Sequence, residues 1–334
     1  MRLPRVVSLF CGAGGLDLGF QQAGFSVAVA FDSSPAAVRS HHRNFGAGVA
    51  IQADLVALGP AGVLAVVRRR IPRGARIGVI GGPPCQGFSR ANTTSHESDP
   101  RNELAALYVE VVRALQASYR VEFVVLENVP GIRDLKHAAQ YAKVTSSLSS
   151  LGLRLAEREL CALDFGVPQK RHRLLVSGMR EDADRRPSEP HTSGGGRVTV
   201  QDAIGHISEA PAFFRRNMEP QDIPLHPNHW TMRPVSKRFF RPGESSNDGR
   251  SFKRLRWDAP SPTVAYGHRE IHVHPDGLRR LSIYEALLLQ GFPESFVLEG
   301  NLSEQVEQVS NAVPPPLARG VAMGIRSALG QCDG

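Results

Sequence analysis

The first 130 residues alternate short apolar runs with segments whose apolar side chains recur at helical spacing. Strands are predicted over 5–10, 26–31, 76–80 and 122–126, where β-branched and apolar residues run together. Helices are predicted over 16–23, 35–45 and 103–118, the second of them after a Ser33-Ser34 cap signal. Strands that alternate with helices in this way are typical of a mostly parallel sheet with helices packed on it. The predicted fold class is therefore α/β, with a doubly wound sheet.

The pattern changes near residue 180. The stretch "REDADRRPSEPHTSGGGR" (180–197) is charged, rich in Pro and Gly and without periodicity, which is typical of a linker or surface loop. The chain stays irregular as far as Gly277, and helical spacing returns in 281–292 and 313–329. We therefore predict a smaller domain, 181–277, inserted into a larger one formed by 1–180 and 278–334.

The net charge indicates the kind of partner, and the cysteine content indicates the cellular compartment. The chain has 40 Lys and Arg against 32 Asp and Glu, a formal net charge of +8, which suits a polyanionic partner. It has no apolar stretch of the length that a signal peptide or a membrane span needs. The four cysteines are far apart, with no CxxC pair, so reduced thiols and a cytoplasmic location are expected.

Glycines and carboxylates follow the predicted strands. "LFCGAGGLDLGF" (9–20) places glycines between the first strand and the first helix, Asp32 closes the second strand, and Asp54 follows a third apolar run. Ligands of such sheets bind at the carboxyl ends of the strands, where an acidic residue commonly holds a ribose. The glycines alone are also compatible with a plain tight turn. Because no Lys-Ser/Thr follows them, a nucleoside cofactor without a phosphate cradle is favoured.

A thiol and a carboxyl group are expected at the same edge of the sheet. "GGPPCQGFS" (81–89) holds Cys85 on a proline-stiffened turn, and Glu127 ends the next strand. A thiolate beside an acid suits covalent catalysis. The alternative is a buried filler cysteine and a surface carboxylate, but the shared edge and the Pro-Pro-Cys geometry favour the catalytic interpretation.

Basic residues and histidines are further candidate ligands. "QKRHR" (169–173) directly precedes a predicted strand, 174–177, and is either a solvated edge or a set of guanidinium groups directed at a carbonyl or phosphate. His268, His272 and His274 have no acidic or Cys partner at ligand spacing, so no metal is predicted.

These blocks together resemble the DNA (cytosine-5) methyltransferase family of bacterial type. The blocks are "FCGAGG", "GGPPCQGFS", "ENVPG", "FGVPQKRHRLLVSG", "RRLSIYEALLLQGFP" and "QVSNAVPPPLA", in the family's order and over nearly the whole chain. The resemblance implies a Rossmann-like catalytic domain that binds S-adenosylmethionine, with 181–277 as the target recognition domain. "PSPTVAYG" (260–267) resembles the Thr-plus-aliphatic element of that region.

The family's roles fall on matching positions. The resemblance implies Cys85 as nucleophile and Glu127 as the acid at the cytosine N3 edge, with Arg171 and Arg173 supporting the glutamate and the cytosine carbonyl. Expected cofactor contacts are Phe10, Gly12, Gly14, Asp32, Asp54, Pro84, Leu104, Asn311 and Ala312. Expected DNA contacts are Ser89, Arg101, Gln169, Thr263 and Val264. A mobile loop over 89–102 is expected to close over a base flipped out of the duplex.

Two other functions remain open on the sequence. One is an RNA cytosine-5 methyltransferase, whose branch carries a Cys-Phe-Thr stretch that is absent here. The other is a catalytically silent DNA-binding relative, which would lack the nucleophile or the acid. Expected partners are double-stranded DNA and a restriction endonuclease acting on the same site, unless the enzyme is an orphan. A monomer, associated with the nucleoid, is expected.

Overall fold

The computed structural model describes residues 2–84, 103–181, 186–187, 189–194, 198–215, 217–240, 252–263, 265–266 and 270–330. Its strands are β1 (Arg5–Leu9), β2 (Ser26–Asp32), β3 (Ala50–Gln52), β4 (Arg76–Gly81), β5 (Arg120–Asn128), β6 (Leu153–Cys161), β7 (Gln169–Lys170), β8 (His172–Arg180), β9 (Ala212–Phe213), β10 (Trp230–Thr231), β11 (Ser261–Pro262), β12 (Ala265–Tyr266) and β13 (Glu270–Ile271). Its α-helices are α1 (Gly15–Gln22), α2 (Pro35–Phe45), α3 (Leu55–Arg68), α4 (Leu104–Gln116), α5 (Ala138–Ser150), α6 (Val200–Ile204), α7 (Ile283–Leu289), α8 (Leu302–Asn311) and α9 (Pro315–Ala328).

A seven-stranded sheet organises the molecule, in the order β3-β2-β1-β4-β5-β8-β6. Neighbours among β1 to β5 pair in parallel, whereas β8 runs antiparallel to both β5 and β6. The predicted α/β class with a mostly parallel sheet is confirmed. Because the parallel strands end at one edge, the turns that follow β1, β2, β4 and β5 meet there.

Helices cover both faces of this sheet, as a doubly wound fold requires. Alternate residues of β1 face opposite ways: Val7 and Leu9 join a core with α3, α4 and α5, while Val6 joins a core with α1 and α9. This period of two is the expected consequence of a pleated strand buried on both sides.

The C-terminal helix packs closely against the first helix. A Cβ added at Gly19 of α1 would lie 2.4 Å from the Cβ of Ala318 and 2.5 Å from the backbone nitrogen of Arg319. Glycine therefore lets the two helices approach more closely than any side chain would allow. The end of the chain thereby becomes part of the layer that covers the sheet.

Short elements of the predicted insert pack on α7 and α8. Val200, Ile204 and Trp230 share one apolar cluster with Leu281 and Leu287. β11 pairs in parallel with β7, and Ser261 N donates to Pro168 O at 2.8 Å. The predicted boundaries of the insert, 181 and 277, remain a prediction.

The predicted elements exist, and several of their ends differ. The predicted strand 5–10 ends at Leu9 because Phe10 adopts a positive φ of 55°. The strand predicted over 122–126 extends to 120–128, and the one predicted over 174–177 extends to 172–180. Among the described helices, none has both the length and the apolar character that crossing a membrane requires.

Candidate active site

The turn after β1 has an unusual backbone that Asp32 holds in place. Phe10, Gly12 and Gly14 have φ values of 55°, 54° and 98°, in the left-handed region that favours glycine. Asp32 Oδ2 accepts a hydrogen bond from Gly12 N at 2.8 Å, and its Oδ1 accepts one from Ser34 N at 2.9 Å. Burial raises the pKa of Asp32, and the two backbone donors oppose that rise. The carboxylate that was predicted to hold a ribose thus also braces the glycine turn.

The other predicted cofactor residues follow neighbouring strands. Asp54 is exposed after β3 and caps α3 by accepting from Val56 N at 2.9 Å. Ala53 N donates to Asp32 O at 2.8 Å, which holds this turn beside Asp32. Pro84 is exposed shortly after β4, and Leu104 is the half-buried first residue of α4. Asp54 and Pro84 thus follow the carboxyl ends of β3 and β4, and Leu104 begins the helix α4.

Glu127 lies at the end of β5 and is buried among polar partners. It is 8% exposed, and its Oε1 is 2.7 Å from Arg173 Nε on the adjacent strand β8. A Cβ added at Gly82 would lie 2.8 Å from Glu127 Oε2. Asn128 Nδ2 donates to Pro83 O at 3.5 Å. The segment that leads to Cys85 therefore leaves β4 directly against the Glu127 carboxyl group.

Two opposing influences set the protonation of this carboxyl group. Burial raises the pKa of Glu127 above its usual value, and Arg173 and Arg171 oppose that rise. A raised pKa favours the protonated form of the carboxyl group, which is the form that a proton donor needs. The site can therefore supply a proton to a basic ring nitrogen.

Arg171 has a different set of partners from Arg173. It is 1% exposed and donates through Nη2 to Ser310 O at 2.7 Å and to Ala312 O at 2.9 Å. Gln290 Nε2 also donates to Ala312 O, at 2.7 Å. The exposed Asn311 lies between these two carbonyl groups in sequence. Arg171 thus fastens the end of α8 to the site, while Arg173 holds Glu127.

The predicted DNA contacts have different surroundings. Gln169 is fully buried and its Nε2 donates to Leu289 O at 3.3 Å, so in this conformation its amide serves internal packing. Thr263 is half-buried and follows Pro262, which pairs with Lys170 beside the Arg171 segment. Cys85, Ser89, Arg101 and Val264, and the loop predicted over 89–102, lie outside the described residues.

Sequence reasoning missed a buried polar group beneath the glycine turn. Ligand-type atoms of Cys11, Asp17 and His41 lie within 4.8 Å of one another. Asp17 is two residues beyond the glycines, and its place as the one charged residue among the apolar residues of "GLDLGF" (15–20) is the sequence signal that could have revealed it. His272 and His274 are not part of this group. Burial lowers the pKa of His272 to about 4, and His274 Nδ1 is 2.9 Å from Asp276. His268 lies outside the described residues.

Comparison with known proteins identifies the class. The family model for C-5 cytosine-specific DNA methylase matches residues 4–327. The chain belongs to this family, as predicted, and is a DNA cytosine-5 methyltransferase.

Relatives match the chain over nearly its whole length. It is 31% identical to the Type II methyltransferase M.MthTI of Methanothermobacter thermautotrophicus, over 97% of both chains. It is 33% identical to M1.HphI of Haemophilus parahaemolyticus, over 96% of this chain and 86% of that one. Among solved structures, an Escherichia coli prophage-encoded protein described as a DNA modification methyltransferase has a TM-score of 0.80 at 25% identity. That match covers 98% of this chain and 100% of the other.

Proposed function

We propose that the protein transfers the methyl group of S-adenosylmethionine to C5 of a cytosine flipped out of double-stranded DNA. The observation that carries this proposal is the buried Glu127, held by Arg173 and in contact with the segment that leads to Cys85. A nucleobase cannot reach such a crevice while it is stacked in a duplex, so extrusion is part of the proposal.

The mechanism follows from the weak nucleophilicity of cytosine C5. The Cys85 thiolate adds to C6 while Glu127 gives its proton to N3, which makes C5 an enamine-like carbon. C5 then attacks the sulfonium methyl group of the donor, the methyl–sulfur bond breaks and a neutral thioether leaves. A base removes the C5 proton, the C6–S bond breaks to release the Cys85 thiolate, and N3 returns its proton to the Glu127 carboxylate. Covalent addition divides one difficult step into easier ones. Arg173 orients Glu127 for its part.

The crevice at the glycine turn fits a nucleoside methyl donor. S-adenosylmethionine supplies an electrophilic methyl group when bound. A Cβ at Gly12 would meet nothing within 4 Å, so the turn borders open space. We propose that Phe10, Gly12, Gly14 and Asp32 hold the nucleoside from β1 and β2. The remaining contacts would come from Asp54, Pro84, Leu104, Asn311 and Ala312.

DNA recognition is assigned to the insert. The net charge of +8 suits a DNA partner, and Thr263 lies where β11 meets the Arg171 segment. The names of the relatives, Type II methyltransferases, support methylation at a short specific site as part of a restriction-modification system. A cognate endonuclease and a monomeric state are part of the same proposal.

Substitution of the nucleophile tests the mechanism. Cys85→Ser should lower methyl transfer to duplex DNA by at least about 10³-fold, since a hydroxyl group is a far poorer nucleophile at neutral pH. The matched control is Cys161→Ser at the end of β6, which should retain activity. Transfer would be measured with radiolabelled methyl donor, and the product with bisulfite sequencing. Equal rates for Cys85→Ser and wild type, or transfer to RNA and not to DNA, would refute the proposal.

A further inference from the structure

A chain of three buried polar side chains runs beneath the glycine turn and belongs to neither the catalytic carboxyl site nor the expected cofactor contacts. Ser8 Oγ of β1 donates to Asp17 Oδ1 at 2.5 Å, and His41 Nε2 of α2 is 2.9 Å from Asp17 Oδ2. All three side chains are fully buried. A buried carboxylate without partners would be costly, and here both oxygens are engaged.

The histidine end of this chain supports the glycine turn from below. The His41 ring stacks on Phe45 with 4.1 Å between ring centroids. A Cβ added at Gly14 would lie 2.5 Å from the Phe45 ring and 3.0 Å from His41 Cδ2. The His41 and Phe45 rings therefore limit how closely the backbone at Gly14 can approach α2. Asp17 fixes the position of the His41 ring through its hydrogen bond.

The turn needs such support for two reasons. Phe10 has a positive φ of 55°, a region that non-glycine residues rarely adopt. Gly12 and Gly14 adopt positive φ without that cost, but glycine also leaves the backbone free to take other conformations. Asp32 holds the turn from one side through Gly12 N. The Ser8–Asp17–His41 chain holds it from the other side.

We propose that the Ser8–Asp17–His41 chain is a positioning device that presets the cofactor turn, so that its loss weakens binding of S-adenosylmethionine more than it slows methyl transfer. The three residues are positioning residues, since they act through Gly14 and Gly12. The inference rests on the proposed function for its ligand. Its structural basis, the support of Gly14, is independent of that ligand.

A metal ion held by Cys11, Asp17 and His41 is the competing explanation. It is less favoured because Asp17 and His41 already bond to each other at 2.9 Å. Burial, and then the charges of Asp17 and Asp32, also raise the pKa of the Cys11 thiol well above its usual value. A metal ligand must be the thiolate, so these surroundings favour a protonated thiol without a metal.

The experiment compares four variants by isothermal titration with S-adenosylmethionine in the absence of DNA. Asp17→Ala breaks both hydrogen bonds, Ser8→Ala breaks one, and Asp17→Asn keeps the shape and can still bridge Ser8 and His41. The control is Ser40→Ala, the neighbour of His41 on α2, whose buried hydroxyl group donates to Gln308 Oε1 at 2.6 Å and faces α8 instead. Ser8→Ala keeps the test decisive if Asp17→Ala does not fold.

We expect Asp17→Ala to raise the dissociation constant about tenfold or more and Ser8→Ala about threefold, as lost preorganisation does. Asp17→Asn should stay within about twofold of wild type, and Ser40→Ala should lower the melting temperature without changing the dissociation constant. With duplex DNA held saturating, the KM for S-adenosylmethionine should rise by a larger factor than kcat falls. Amide hydrogen exchange of residues 11–15 in the ligand-free protein should quicken in Asp17→Ala and Ser8→Ala only.

Three results would overturn the inference. The first is unchanged affinity and unchanged exchange in folded Asp17→Ala or Ser8→Ala. The second is an equal loss of affinity in Ser40→Ala, which would indicate general destabilisation. The third is a stoichiometric metal in the purified protein that disappears in Cys11→Ala. If wild type itself fails to bind S-adenosylmethionine, the proposed function fails, and the exchange measurement still decides whether the chain supports the turn.

Discussion

The Glu127 carboxyl group combines two requirements that ordinarily conflict. A proton donor at neutral pH needs a raised pKa, which burial supplies, but an oriented carboxyl group needs a firm partner, which Arg173 supplies at 2.7 Å. The charge of that partner moves the pKa of Glu127 back down. Burial is the stronger influence, so the pKa of Glu127 is raised on balance.

Removal of Arg173 should therefore change both the pKa of Glu127 and the orientation of its carboxyl group, and the two effects can be measured separately. Arg173→Gln removes the charge that lowers the pKa of Glu127, so this pKa should rise further. In the proposed mechanism Glu127 acts in its protonated form, which predominates below its pKa, so the alkaline limb of kcat/KM should move to higher pH. The maximal rate should fall by about tenfold or more because the carboxyl group is no longer oriented.

The pH profile of methyl transfer measures both effects. The control is Arg158→Gln on β6, which breaks an ion pair with the exposed Glu189 at 2.8 Å and should leave the profile unchanged. An alkaline limb that stays in place in Arg173→Gln would show that Glu127 is not the titrating group.

Gly82 offers a second test at the scale of one residue. Gly82→Ala would place a Cβ 2.8 Å from Glu127 Oε2, so the carboxyl group or the turn to Cys85 must move. We expect kcat to fall about 10²-fold, since small misplacements at a reacting centre are costly. Gly48→Ala, where a Cβ meets nothing within 4 Å but φ is 87°, is the control for backbone strain. It should lower the melting temperature and leave kcat unchanged; loss of kcat in both variants would contradict the steric argument.

At the scale of elements, the sequence predicts best where local signals act alone. The predicted helix 35–45 has the observed bounds of α2 because Ser34 accepts from Ala37 N at one end and Gly46 has a φ of 93° at the other. β1 ends one residue early because Phe10 turns left-handed, which no local propensity indicates. β8 is longer than predicted because it pairs on both sides, with β5 and β6.

The candidate site likewise contains residues that local sequence motifs predict and contacts that only the folded chain creates. Glu127, Arg173 and the glycine turn were found from motifs at strand ends, where the fold itself brings them together. The contact between Asp17 and His41 joins positions 24 residues apart and arises only from the packing of α2 against α1. The partners of Arg171 on the segment after α8 are likewise products of tertiary packing.

The close packing of α1 on α9 predicts that alanine is destabilising at Gly19 of α1, and Gly62 of α3 provides the control. Gly19→Ala would place a Cβ 2.5 Å from a backbone nitrogen, which cannot swing aside, and should lower the free energy of unfolding by about 1–3 kcal/mol. Gly62→Ala in α3 meets only the flexible Leu58 side chain and should raise stability by about 0.5–1 kcal/mol. Urea denaturation measures both changes. Equal effects of the same sign would contradict the close-packing argument.

At the scale of the whole molecule, the fold gathers the chemistry at one edge of the sheet. Strands β1, β2, β4 and β5 each end there at a turn that carries a proposed site residue, because parallel pairing aligns their ends. The last helices of the chain close the same region, since α8 ends at the carbonyl groups that bind Arg171. Segments far apart in sequence are thus brought together at this edge of the sheet.

The excess of positive charge belongs to the whole chain and predicts how DNA binding responds to salt. With a net charge of +8, binding should release counterions from DNA, so log affinity should fall linearly with log salt concentration. Contact with about six phosphates corresponds to a loss of roughly 10³-fold in affinity between about 50 and 200 mM salt. Fluorescence anisotropy with a labelled duplex measures the slope, and the affinity for S-adenosylmethionine, which should change little, is the control. A flat salt dependence for the duplex would mean that the positive charge does not lie on the DNA-binding surface, because phosphate contacts cannot form without displacing counterions.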